Sequence, residues 1–345
     1  MPEQRRDILA TSPDDLARWL HERGEPAYRL AQILEWIFRR GVESFQTMTS
    51  LPLELRRALD DGFALPSLRC AGRRRSDDGA TEKFLFELGD GGRIESVRLS
   101  DGGRCTFCIS SQAGCALGCR FCATGAMGPG RNLSTGEILG QVAALRRAAG
   151  ALRNVVFMGM GEPLLNLDAV SASLEALTDP RRFALGARRI TVSTAGVTPG
   201  IRRLAEAPAP PNLALSLNTP FDDQRSELMP VNRKYPLSEV LEACREYAAR
   251  TGRRLLFEYV LIGGLNTSAK AARALGRLAR DLHALVNLIA LNPVAGCDYA
   301  PPTRAEIAEF RSILESEHVG VTQRFRRGSE IAAGCGQLAG GHRDR

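Results

Sequence analysis

The chain has 345 residues, 44% hydrophobic and 25% charged, with 46 Lys+Arg against 39 Asp+Glu and a net charge of +7. That composition excludes a disordered chain, and the length suits one large core or two domains. No apolar run approaches the roughly 18 residues of a membrane span, and the opening MPEQRRDILATSPDD lacks the apolar core of a secretory signal. The expectation is a cytoplasmic protein with no membrane partner. The basic balance permits a polyanionic partner and equally fits an arginine-rich solvated surface.

Residues 1–80 read as a helical N-terminal accessory domain. Ser12-Pro13-Asp14-Asp15 supplies an N-cap, a proline at the first helical position and acids in the first turn. Leu30, Ile33, Leu34, Ile37 and Phe38 follow the spacing of one buried helix face. A polar, Gly/Arg-rich stretch around Cys70–Gly79 bounds the unit. Residues 81–100 read as a β-hairpin connector: Phe84–Leu88 and Ile94–Leu99 flank Gly89-Asp90-Gly91-Gly92, which is turn chemistry. Glu95, Val97 and Leu99 share one face of the second strand.

Residues 101–328 alternate strands and helices. Expected strands are Thr106–Ser110, Val155–Gly159, Arg189–Thr194, Leu213–Asn218, Phe257–Ile262, Asn287–Asn292 and Val321–Arg326. Ser134-Thr135-Gly136-Glu137 and Thr303-Arg304-Ala305-Glu306 are capping boxes that open two of the helices. This order implies an α/β fold with a mostly parallel sheet, open or closed into a barrel. In such folds chemistry sits at the C-terminal strand ends. Gly159-Met160-Gly161-Glu162-Pro163, Ser193-Thr194-Ala195-Gly196, Ser216-Leu217-Asn218 and Asn292-Pro293 all fall there. Residues 329–345 form a C-terminal segment carrying Cys335 between two glycines.

The nine cysteines are Cys70, Cys105, Cys108, Cys115, Cys119, Cys122, Cys244, Cys297 and Cys335. An odd number in a large chain without a signal argues against a disulfide scaffold. Cys115, Cys119 and Cys122 are spaced C-x3-C-x2-C on the loop after the first parallel strand. A structural zinc site takes four protein ligands, and no fourth Cys or His follows locally. A 4Fe–4S cluster also needs four ligands, so three thiolates leave one iron open for a substrate or cofactor. The plain alternatives are a zinc knuckle with a distant fourth ligand, or buried thiols. Glu162 behind Gly161 can accept from an ammonium group, and its plain alternative is an ordinary strand-to-loop turn. Glu95 lies among apolar groups, a setting expected to push its carboxyl up toward the range of a working base; the alternative is a hairpin glutamate paired with an arginine.

The motifs, in order, are Ile94-Glu95-Ser96-Val97; Cys108 through Cys122 (CISSQAGCALGCRFC); Arg131-Asn132-Leu133; Asn154–Asn166 with its GMGEPLLN; Thr191–Val197; Asn232-Arg233-Lys234-Tyr235; Asn292-Pro293; and Cys335-Gly336-Gln337-Leu338. Together they span most of residues 82–340 and resemble the RlmN/Cfr family of radical S-adenosylmethionine (SAM) RNA methyltransferases. The resemblance implies a partial (β/α)6 barrel with a helical accessory domain. It implies one 4Fe–4S cluster on Cys115, Cys119 and Cys122, and SAM contacts at Gly161, Glu162, Ser193, Ser216, Leu217, Asn218 and Asn292. It implies two SAM molecules per turnover: one methylates Cys335, and a second is cleaved reductively to activate that methyl group. The carbon is added to carbon 2 of adenosine in 23S rRNA and tRNA, Glu95 accepts a proton, and Cys108 attacks the Cys335 sulfur to release the base with a disulfide left behind. An electron donor such as flavodoxin or ferredoxin and a thiol reductant complete the cycle, with the enzyme a monomer. Two departures stand out. Asn218 occupies a position where the family usually has His, and Gly334 replaces a common alanine, which is expected to loosen the Cys335 segment. Cys105 has no counterpart. Alternatives are methylation of carbon 8, a radical SAM enzyme acting on protein or small molecules, and a zinc-bearing RNA-binding protein.

Overall fold

The computed structural model describes residues 5–65, 68–149, 152–324 and 328–340; Arg326, Arg327 and the end of the last expected strand lie outside them. In the N-terminal unit, β1 (Arg6–Asp7) pairs in parallel with β2 (Phe63–Ala64) and so brackets α1 (Pro13–His21), α2 (Tyr28–Leu34) and α3 (Leu53–Gly62). Ser12 caps α1 as its sequence suggests, its hydroxyl accepting from the Asp15 N–H at 3.1 Å. The α2 stripe continues through a π-helical turn, Glu35–Arg40, and ends at Gly41 with φ 66°. Ile33, Leu34, Ile37 and Phe38 are buried, and Trp19 meets Phe63 edge-on. The unit docks on the rest of the chain through Phe38 against Phe183, ring centroids 5.1 Å apart, and the Glu43–Arg147 and Asp14–Arg181 ion pairs.

All other strands belong to one ten-stranded sheet: β3 (Arg69–Arg75), β4 (Thr81–Glu87), β5 (Arg93–Asp101), β6 (Arg104–Cys108), β7 (Asn154–Phe157), β8 (Ile190–Thr194), β9 (Asn212–Ser216), β10 (Leu256–Leu261), β11 (Leu285–Ala290) and β12 (Val321–Arg324). Strands β3 to β6 form an antiparallel meander, and β6 through β12 run parallel in chain order. The six parallel crossovers carry α5 (Thr135–Ala149), α6 (Leu167–Thr178), α7 (Thr198–Leu204), α9 (Leu237–Thr251), α10 (Ala269–Asp281) and α11 (Arg304–Ser316), with short helices α4 (Ala123–Ala126) and α8 (Asp222–Leu228) in two of the loops. With β3 and β12 at opposite edges, this is the expected partial (β/α)6 barrel. Both expected capping boxes form, at Ser134/Glu137 and Thr303/Glu306.

The expected parallel strands all form; β6, β7, β9, β10 and β11 end one or two residues earlier than expected, while β8 ends at Thr194 as expected. The parallel strands bury both faces, and Phe107, Phe157 and Phe257, at most 1% exposed, each contribute about 2–3 kcal/mol by burial. Three strands differ from the sequence reading: the two-residue β1 and β2 lie in the unit read as helical, and β3 follows it. Residues 69–75, read as a polar boundary, are strand β3, an edge strand whose arginines mask its pattern; Arg73 reaches across to Glu82 at 2.5 Å. The hairpin therefore continues the barrel sheet. Among the described residues no helix is long and apolar enough to cross a membrane.

Candidate active site

The C-terminal ends of the parallel strands surround a cleft. Its walls include Cys115, Cys119 and Cys122 from the loop after β6, Gly161 and Glu162 after β7, Ser193 on β8, Ser216 and Asn218 at and after β9, and Cys335 from the C-terminal segment. The cysteine loop is folded by its glycines: Gly114 has φ 133° and a Cβ there would lie 2.9 Å from the Gly130 nitrogen. Burial pushes the Cys115 thiol up to about 11, and the Cys119 thiol further. Among the described residues no three Cys, His, Asp or Glu are gathered closely enough to chelate a single ion. Three thiols with no fourth Cys or His on their loop leave a four-ligand zinc site one donor short, whereas a 4Fe–4S cluster takes one thiolate per iron. The donor set thus fits the implied 4Fe–4S group.

Gly161, at φ 95°, packs its backbone on Gln112, where a Cβ would come within 2.5 Å of the Gln112 Cβ. That contact delivers Glu162. Its Oε2 accepts from the Ala195 N–H at 2.8 Å and its Oε1 from the Leu164 N–H at 3.1 Å, while burial pushes the carboxyl upward. The hydroxyls of Ser193 and Ser216 lie 3.4 Å apart. Asn218 adopts φ 60°, a left-handed conformation that asparagine tolerates better than most residues. Its Oδ1 accepts from the Val260 N–H at 2.9 Å and its backbone carbonyl from Asn266 Nδ2 at 2.7 Å, tying β9 to β10.

Two expected cofactor contacts sit differently. Leu217 is wholly buried in the core, because alternation turns its side chain away from Ser216 and Asn218, so it does not line the cleft. Asn292 also stands outside the cleft wall: its Nδ2 donates to the Cys335 carbonyl at 3.1 Å. Its Oδ1 is buried without a partner among the described residues, which leaves an acceptor for a ligand.

A second, smaller cavity joins the two remaining cysteines. Cys108, Val97, Cys122, Thr124 and Cys335 all border it, so both residues meet one space beside the cysteine loop. The Cys335 segment is not loose. The Ala123 N–H donates to the Gly336 carbonyl at 2.7 Å, Thr124 Oγ1 to the Leu338 carbonyl at 2.6 Å, and Gln337 Nε2 to the Pro293 carbonyl at 3.0 Å. Gly334 serves close packing, since a Cβ there would meet Asn292 Nδ2 at 2.6 Å. Glu95 is fully buried, but its setting is not purely apolar. Lys83 Nζ stands 2.9 Å from its Oε1, and the Ala339 N–H donates to its Oε2 at 2.9 Å. Cys105 is buried on β6, away from both cavities.

Sequence reasoning missed three polar side chains here. Glu258 lines the cleft floor and accepts from Asn287 Nδ2 at 2.7 Å. Arg225, fully buried, donates to the carbonyls of Ala195, Ser216 and Leu217 and to Asn232 Oδ1, so one guanidinium staples the loops after β8 and β9; burial pulls it down to about 10. Asn232 of the quoted Asn-Arg-Lys-Tyr motif was the available signal. Lys83 had none.

Two family models match the chain: the Radical SAM superfamily over residues 109–273 and the ribosomal RNA large subunit methyltransferase N-terminal domain over residues 6–64. A "Probable dual-specificity RNA methyltransferase RlmN" of Gemmatimonas aurantiaca is 49% identical over 338 residues, 96% of this chain and 92% of that protein. The chain belongs to the RlmN family of radical SAM RNA methyltransferases. A dual-specificity RNA methyltransferase RlmN of Pelobacter propionicus is 49% identical over 260 residues, 75% of each chain. Among solved structures, a radical SAM methyltransferase from Sphaerobacter thermophilus superposes with a TM-score of 0.93 at 43% identity, covering 97% of this chain and all of that one. Family membership makes the chain an enzyme that uses a 4Fe–4S cluster, SAM and an RNA substrate.

Proposed function

We propose that the enzyme methylates carbon 2 of adenosine in 23S rRNA and tRNA through a methyl group carried on Cys335 and released by Cys108. The observation that carries this reading is the shared cavity, which sets the two residues against one space next to Cys122. The dual specificity of the named relatives supports two classes of RNA target. Cys115, Cys119 and Cys122 would hold the cluster, and Glu162, Ser193, Ser216 and Asn218 would bind SAM. When bound, these groups supply one-electron cleavage chemistry able to activate an otherwise inert C–H bond.

The chain's own thiols do the rest. Cys335 bears the carbon and links it to the base. The Cys108 thiolate then attacks the Cys335 sulfur: the S–S bond forms, the sulfur–carbon bond breaks, and its electron pair stays on the departing carbon, which takes up a proton from solvent to complete the methyl group. An external thiol reduces the disulfide by exchange. Glu95, whose Oε2 already accepts from the Ala339 N–H, would accept the substrate proton on a remaining carboxylate lone pair. An external electron donor of the flavodoxin or ferredoxin kind, two SAM molecules per turnover and a monomeric enzyme complete the proposal.

The test is peptide mass spectrometry across Cys335 in a Cys108→Ala variant expressed in bacteria with its cluster intact. Cys335 is expected to carry a methyl group or a trapped RNA adduct, and digestion of the adduct to the nucleoside distinguishes carbon 2 from carbon 8. An unmodified Cys335 in protein that retains iron and sulfide overturns the proposal.

A further inference from the structure

Lys83 and Glu95 form a buried ion pair whose position is more informative than its strength. The β4–β5 register sets Lys83 opposite Val97 and Leu85 opposite Glu95, so the two charges lie diagonally on one face of the sheet. Val97 is in turn opposite Cys108 on β6, which places Cys108 on the same face. Both charged side chains are at most 3% exposed.

Each member of the pair also holds the C-terminal segment. Lys83 Nζ donates to the Ala332 carbonyl at 3.2 Å, and Glu95 Oε2 accepts from the Ala339 N–H at 2.9 Å. The pair therefore grips the Cys335 loop at both feet, three residues before the thiol and four after it. Ala332 has φ 52°, a left-handed conformation unfavourable for alanine that persists only where surroundings impose it. The carbonyl of that strained residue is the one Lys83 takes. A buried pair of opposite charges is weak evidence for stability, since apolar replacements of similar volume often serve a core equally well. What it supplies here is a fixed geometry for a loop that must present one sulfur to two successive reactions.

We propose that Lys83 is a positioning residue for methyl transfer: its ammonium joins the Glu95 carboxylate to the Ala332 carbonyl, clasping the loop so that Cys335 faces the Cys108 cavity. The proposal rests on Cys335 being the methyl-carrying thiol.

The test compares cluster-loaded full-length enzyme with Lys83→Met, Lys83→Arg and the paired Lys83→Met/Glu95→Leu variant. Amide hydrogen exchange across residues 332–339 is expected to speed up about tenfold or more in Lys83→Met, with the parallel strands unchanged and iron and sulfide retained. RNA methylation is expected to fall about tenfold or more in the same protein, and Lys83→Arg, which keeps a cation able to reach both acceptors, is expected to recover most of both signals. The paired variant removes the risk of an orphaned carboxylate: with the Ala339 acceptor gone as well, its loop should exchange at least as fast as in Lys83→Met, at wild-type melting temperature. Wild-type exchange over 332–339 in Lys83→Met or in the paired variant overturns the clasp. So does a speed-up spread evenly over the parallel strands, or a Lys83→Arg protein as slow as Lys83→Met. If Cys335 of the wild-type enzyme proves never to carry a methyl group, the proposed function fails, while the exchange experiment still decides the clasp.

Discussion

At the scale of the residue, this site separates groups defined by chemistry from groups defined by surroundings. Cys115, Cys119 and Cys122 stand out by their C-x3-C-x2-C spacing, and the structure brings them to one cleft as the proposed cluster ligands. Replacing Cys119 with Ala is expected to drop bound iron and sulfide to background while the far-ultraviolet circular dichroism stays native, since one fewer thiolate cannot anchor the cluster. Lys83 was not legible. In Thr81-Glu82-Lys83-Phe84-Leu85 it reads as a solvent-facing strand residue, and its burial is created by Ala332, 249 positions later. Arg225 had only the Asn232 motif to signal it, because its other acceptors are the backbone carbonyls of Ala195, Ser216 and Leu217. Arg225→Met would take the guanidinium donor from the Ala195 carbonyl and Asn232 Oδ1, and the expected loss is on the order of 2 kcal/mol or more in chemical unfolding, because each orphaned buried acceptor costs about 1–3 kcal/mol.

At the scale of the element, the parallel strands were readable because strands covered on both faces are continuous apolar runs, whereas β3 was not, because an edge strand hides its pairing behind arginines. The contact between β1 and α5 could not be read either, though it is unusually tight. A Cβ on Gly136 would fall 1.3 Å from Asp7 Oδ2. Alanine normally favours a helix by about 1 kcal/mol over glycine, but here the overpacking term of about 1–3 kcal/mol prevails, so Gly136→Ala is expected to lower the melting temperature. Burial also pushes the Asp7 carboxyl up to about 6 from 3.8. The folded chain then holds a proton that the unfolded chain has lost between those values. The stability linked to Asp7 is therefore full below about pH 4 and falls as pH rises to about 6; by neutral pH the loss amounts to roughly 3 kcal/mol. An Asp7→Asn chain, still able to accept from the Leu9 N–H, should show a flatter dependence of melting temperature between about pH 4.5 and 8; an unchanged slope would remove Asp7 as the cause.

At the scale of the whole molecule, the alternation of strands and helices gave the architecture, but closure could not be read, because it depends on which strand pairs with which. The ten-stranded sheet resolves it: the meander extends one edge where a closed barrel would join β6 to β12. The charge of +7, spread over arginines, suits a substrate with a phosphate backbone. RNA affinity is expected to fall about tenfold or more between roughly 50 and 200 mM potassium chloride if three or more phosphates are neutralised, and a flat salt response would count against backbone recognition.

The same meander decides which sulfur travels. Because β6 is interior, Cys108 is laced to Val97 on one side and Val156 on the other, and it cannot swing without tearing two ladders. One thiol is an anvil and the other a hammer: all the reach in the proposed cycle belongs to the C-terminal segment. A disulfide between them would then moor that segment to the most rigid wall of the barrel, so the cellular reductant would act as a harbour pilot, casting off the line before another RNA can berth.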